Sequence, residues 1–147
     1  MRAETLEYAR RLHLSDRILF TGRSASVGYW LARMDTLVLL SQFEGMPNVL
    51  IEAQLAGAPV VTTPAGGAGE TVVVGQTGFV LSSAESPDLD EAADFLMALV
   101  EMGSARRLAM GEAARQWAER AFSVDAMLRR TIDVFMAPSA EPLSPAR

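Results

Sequence analysis

The stretch from residue 36 to residue 57 leaves few folds open. It begins with T-L-V-L-L (residues 36–40), a short apolar run with the length and composition of a buried strand. The turn S-Q-F-E-G-M follows, and a helix then runs from Asn48 to Ala56 until Gly57 and Pro59 stop it. Gly45 permits the sharp turn, and Pro47 stands at a helix start, where its missing amide wastes no hydrogen bond. Free amides of the first helical turn point into the crevice at the strand's carboxyl end, where the helix dipole favours an anion. Glu44 lies in the turn, and Glu52, four residues after Asn48, falls on the same helix face as that asparagine. Carboxylates beside a phosphate site cannot bind the phosphate, but they accept hydrogen bonds from hydroxyls. The stretch therefore points to a ligand that is both phosphate and polyol.

The same alternation runs along the chain. Residues 2–14 carry Ala3, Leu6, Ala9 and Leu12 every three residues, which predicts a helix. R-I-L-F-T (17–21) predicts a strand ending at Gly22, followed by a helix capped by Ser24 or Ser26 with Val27, Trp30, Leu31 and Met34 inward. P-V-V-T-T (59–63) and G-F-V-L (78–81) are two further strands. About four strands alternating with helices give an α/β domain with a Rossmann-like parallel sheet. From Ser86 the chain turns helical: Ser86-Pro87 caps the first helix, Gly103-Ser104 breaks it, and a second carries Leu108, Gly111, Ala114, Trp117 and Ala121. Ser123 caps a third, in which Val124, Leu128, Ile132 and Phe135 are expected to bury together. Residues 137–147, with three prolines, read as a disordered tail behind one domain spanning 1–136.

Composition narrows the chemistry. The chain has 147 residues, 50% of them hydrophobic, which is enough to bury a core. It has no cysteine and one histidine, His13, so thiolate or His-rich metal sites and imidazole pairs are excluded. A net charge of −5 argues against a nucleic-acid partner. All thirteen basic residues are arginine. The glycine-rich P-A-G-G-A-G-E (64–70) is not a dinucleotide fingerprint: starting G-x-G-x-x-G at Gly67, the third glycine position holds Val72.

An E-x7-E spacing alone is ordinary on a solvated helix, but the complete string F-E-G-M-P-N-V-L-I-E-A is specific. It resembles the donor-site motif of the retaining glycosyltransferases of family four, the group one enzymes with the GT-B fold, and the likeness runs to about Phe135. D-R-I-L-F-T-G and T-x-x-G-G-x-x-E are similar to that family's flanking units. The resemblance implies a doubly wound carboxyl-terminal domain, here from its third strand onward. The first two strands, the arginine and lysine that grip the diphosphate, and the acceptor-binding domain are not matched. A chain without lysine cannot hold that pair.

Carried over by position, Glu44 contacts hydroxyls of the transferred sugar and is the catalytic-site residue, while Glu52 holds the ribose. Backbone at Gly45, Met46, Pro47, Asn48, Val49 and Leu50 faces the diphosphate, Gly66 and Gly67 lie beside the sugar, and Arg23 and Ser24 support the base. The function implied is retaining, metal-independent sugar transfer from a nucleotide-diphosphate sugar, with no cofactor besides that substrate. The acceptor is a glycan, lipid or small molecule. This chain is then the donor-binding fragment, inactive alone, of a cytoplasmic enzyme that works in solution or at the membrane's inner face. The alternative is a non-catalytic nucleotide-sugar-binding module that pairs with a missing amino-terminal half or a partner chain.

Overall fold

Strands β1 (Leu37–Leu39), β2 (Val60–Thr62) and β3 (Gly78–Val80) form one parallel sheet in the order β1-β2-β3. The computed structural model describes residues 2–136. In register, Val38 lies beside Val61 and Val61 beside Phe79. β2 is central and fully buried, as the unbroken apolar run P-V-V-T-T requires of a strand covered on both faces. β1 is an edge. Its odd residues bond to β2, with the Leu37 amide donating to Pro59 O at 3.0 Å and Leu39 O accepting from the Thr63 amide at 3.3 Å. By strand alternation the Val38 amide and carbonyl face away from the sheet.

Helix α3 (Asn48–Leu55) covers one face, where Leu31, Leu50, Ala53 and Val60 form a core cluster. Helix α4 (Leu89–Glu101) covers the other, where Val61, Leu81 and Leu99 pack and Phe79 stacks on Phe95 with centroids 4.8 Å apart. Helix α5 (Gly103–Ala121) lies against α3 through buried Gly111, Ala114 and Ala118. The seam is tight: a β-carbon on Gly111 would fall 2.1 Å from Gly57 O. Buried Gln54 crosses from α3, its Nε2 donating to Thr71 O at 2.9 Å, and Trp117 Nε1 from α5 donates to the same carbonyl at 2.9 Å.

Helices α1 (Arg2–Arg11), α2 (Val27–Leu31) and α6 (Val124–Met136) pack more loosely. α1 stops short of the expected residue 14 because His13 takes φ 55°. The Leu14 amide then reaches Ala9 O at 2.9 Å and the His13 amide reaches Arg10 O at 3.0 Å, a Schellman closure.

Several expectations are corrected. Residues 17–21 are not a strand: Ser15–Arg17 is a 3₁₀ turn, and Leu19 stands 75% exposed with no place in the sheet. An apolar run becomes a strand only where a neighbour takes its hydrogen bonds, and β1 does not take them. In α2 only Leu31 is buried; Trp30 is half-buried, Val27 is exposed, and Met34 falls beyond the helix end and is exposed. Neither expected serine caps that helix, since Ser24 Oγ accepts from the Ser26 amide at 3.0 Å and Ser26 makes no side-chain cap. Helix α4 is capped by Asp88, which accepts from the Asp90 and Glu91 amides, rather than by Ser86. Leu108 is exposed on α5, and the stripe Val124, Leu128, Ile132 and Phe135 on α6 is exposed throughout, Phe135 by 82%. Its periodicity marks a face suited to burial, but no described element covers it. The tail expected over 137–147 lies outside the described residues.

Candidate functional site

The loop leaving β1 is anchored residue by residue. The Thr63 hydroxyl donates to Ser41 O, Gln42 Nε2 donates to Glu85 O at 2.9 Å, and the Gly67 amide donates to Gly45 O at 2.7 Å. These bonds draw the turn at 44–47 against the glycine loop that follows β2. At Gly66, with φ +49°, a β-carbon would lie 1.9 Å from Glu44 O; at Gly67 it would lie 2.8 Å from Gly45 O and 3.0 Å from Met46 Cε. Only glycine tolerates either position. The close approach these glycines permit is therefore made first to the protein's own turn, which brings Glu44, Gly45, Met46, Gly66 and Gly67 into one cluster.

Pro47, buried with φ −76°, opens α3, and no side chain caps that helix. The Leu50 amide donates to Pro47 O at 3.1 Å and its side chain is fully buried, so Leu50 serves the helix and the core. Among the described residues the Met46, Asn48 and Val49 amides have no protein acceptor and sit at the positive end of the helix. Glu44 is half-buried at the rim and Glu52 is exposed on α3. Among the described residues neither carboxylate has a hydrogen-bond or ion-pair partner, so both remain free to accept from a ligand. The arrangement offers unpaired amides for an anion and two acceptors for hydroxyls.

Arg23 and Ser24 are not hydrogen-bonded into this cluster. Arg23 is exposed in the loop before α2, Ser24 makes its local turn, and neither hydrogen-bonds to the 44–52 or 66–67 segments. Two half-open hollows lie elsewhere. One of 180 Å³ runs between Met34, Pro59 and Leu108, and one of 240 Å³ between Thr36, Leu96 and Val100; both are flanked by the Arg107–Asp35 ion pair. The Glu44 crevice, by contrast, lies at the carboxyl end of β1. The carboxyl group with a shifted pKa is remote too: Glu112 on α5 is lowered by hydrogen bonds from Arg115 and Gln116. Among the described residues no group of three or more His, Asp or Glu is placed to hold a metal, and no helix is long and apolar enough to cross a membrane.

Sequence reasoning missed Gln42 and Thr63 as anchors, and Gln54 and Trp117 as the pair holding Thr71. The one signal available was the T-T at the end of β2, whose hydroxyls bond across to Leu39 O at the end of β1 and to Ser41 O in the loop that follows.

Residues 1–101 match the family described as glycosyl transferases group 1. The chain is 46% identical to the Vi polysaccharide biosynthesis protein VipC/TviE of Salmonella typhi over 106 residues, which is 72% of this chain and 18% of that protein. It is 36% identical to the N-acetyl-α-D-glucosaminyl L-malate synthase of Bacillus anthracis over 111 residues, 76% of this chain and 28% of that one. The fold is similar to Anabaena HepE in complex with UDP, with TM-score 0.76 and 26% identity over 90% of this chain and 36% of HepE. HepE has also been solved in complex with UDP-glucose, where the TM-score is 0.74. The chain thus spans less than a third of these curated relatives.

Proposed function

The chain belongs to the glycosyl transferases group 1 family, and from that premise we propose that it carries the donor site of an enzyme transferring sugar from a nucleotide-diphosphate sugar to an acceptor. The observation that carries this reading is the cluster at the carboxyl end of β1. There the Gly66–Gly67 loop is docked on the Glu44–Gly45 turn beside the unpaired amides of α3. The HepE complexes with UDP and UDP-glucose support the ligand class.

In this reading Glu44 holds hydroxyls of the transferred sugar and Glu52 holds the ribose. The Met46, Asn48 and Val49 amides face charge growing on the leaving diphosphate, and preorganised amides aimed at developing charge are a strong catalytic device. Backbone at Arg23 and Ser24 supports the base. Transfer proceeds with retention by front-face attack: the acceptor hydroxyl bonds to the anomeric carbon as the phosphate leaves and takes its proton. No metal is required, and the enzyme works in the cytoplasm, in solution or at the membrane surface. Titration with nucleoside diphosphates tests the core of this assignment. Glu52→Gln is expected to weaken binding about tenfold, the loss of one charge-assisted hydrogen bond. Unchanged affinity would remove Glu52 from the ribose.

The chain alone is not expected to turn over. Holding the acceptor within about 3–3.5 Å of the anomeric carbon can be worth roughly 7–11 kcal/mol, and in this family the resemblance gives that task to another domain. A radiolabelled donor assay on the purified chain checks this, and robust transfer would overturn it. A second reading, a nucleotide-sugar-binding module that pairs with another chain, is favoured by the open edge of β1 and the exposed face of α6. Transfer that appears only on mixing with a second polypeptide would distinguish it.

A further inference from the structure

Phe43 is 88% exposed, and the backbone that carries it is fixed on both sides. Before it, Gln42 Nε2 is bonded to Glu85 O at 2.9 Å; after it, Glu44 O lies under Gly66 and Gly45 O accepts from the Gly67 amide at 2.7 Å. The ring is therefore held out from a pinned loop, where it adds nothing to either core cluster. A rigid aromatic side chain on a preorganised backbone is a low-cost binding element, because little motion is lost when a ligand arrives. The next residue is Glu44, half-buried and without a protein partner among the described residues.

An exposed aromatic ring on the residue next to a free carboxylate offers the two chemistries of a sugar ring. Ring C–H groups carry a slight positive charge and pack on the negative aromatic face, while the hydroxyls donate to the carboxylate. We propose that Phe43 is a platform for the C–H face of a pyranose ring held at Glu44, supplied either by the donor's transferred sugar or by the acceptor. The inference rests on the donor-site reading given above, and two arms of one experiment separate the two sources.

Saturation-transfer NMR on the 147-residue chain suits weak ligands. The probes are UDP, UDP-glucose, GDP and GDP-mannose, and then methyl α-D-glucopyranoside and methyl α-D-mannopyranoside with nucleotide present. Because the ring is exposed, Phe43→Ala should keep the wild-type circular dichroism spectrum and melting temperature. It should bind pyranose-bearing probes about tenfold more weakly and nucleoside diphosphates unchanged, and Phe43→Trp should restore the loss. Loss confined to the nucleotide sugars assigns the platform to the donor; loss confined to the methyl glycosides assigns it to the acceptor. The proposal is overturned if Phe43→Ala leaves pyranose contact intact in both arms, weakens nucleoside diphosphates equally, or changes only self-association in sedimentation. If the wild-type chain binds no nucleotide and no sugar, the donor-site reading falls, and this inference falls with it.

Discussion

The α-carbon of Gly66 sits so near the carbonyl of Glu44 that a methyl group there would lie 1.9 Å from the oxygen. Adding that methyl must push the two loops apart, and φ +49° adds backbone strain for any L residue. Gly66→Ala is expected to destabilise the chain by about 2–4 kcal/mol. It should also reduce nucleotide binding more than a surface substitution of equal stability cost. Chemical denaturation and titration on the same variant check both.

Gly111→Ala puts two effects against each other. Alanine is the better helix former by about 1 kcal/mol. The new methyl, however, meets Gly57 O at 2.1 Å, backbone that cannot swing aside as a flexible side chain would. The clash should win, with a net loss of about 1–3 kcal/mol in urea unfolding as α5 lifts from α3.

His13 holds the left-handed position that ends α1. Left-handed geometry costs an L residue roughly 1–2 kcal/mol, and glycine's extra freedom in the unfolded chain returns about half of that. His13→Gly should therefore stabilise α1 by about 0.5–1 kcal/mol, while His13→Val should destabilise it. Because α1 packs loosely, hydrogen exchange in residues 2–11 is the sensitive measure.

The outer edge of β1 presents the Val38 amide and carbonyl with no strand beside them among the described residues. Unpaired edges of this kind template association. The isolated chain is expected to self-associate in sedimentation velocity, and Val38→Pro to shift it toward monomer. Proline removes an outward amide while the inward bonds of Leu37 and Leu39 to β2 remain. Association unaffected by Val38→Pro would place the contact elsewhere, with the exposed face of α6 the next to test.

The strand, turn and helix around Glu44 were legible because their signals are local: an apolar run, a glycine, a proline at a helix start. Residues 17–21 were misread because a strand is a property of a pair, and nothing in R-I-L-F-T reveals whether a neighbour is there. The α6 stripe failed similarly, since its periodicity names the face and not the partner. Gln42 and Thr63 went unnoticed because their bonds span 43 and 22 residues. Glycines 66 and 67 were read as lying beside the sugar, and nothing local in the sequence showed that they also pack on the protein's own Glu44–Gly45 turn.

Trp117 has a use of its own. Its indole nitrogen bonds to the Thr71 carbonyl, at the turn that closes the glycine loop, so the emission of this ring depends on whether that loop is seated. Trp30, half-buried on α2, is the chain's other tryptophan and has no such tie. Replacing Trp30 with phenylalanine would leave a single tryptophan, selectively excitable over the two tyrosines and able to follow in real time, with no attached dye, the seating of the segment that packs against Glu44.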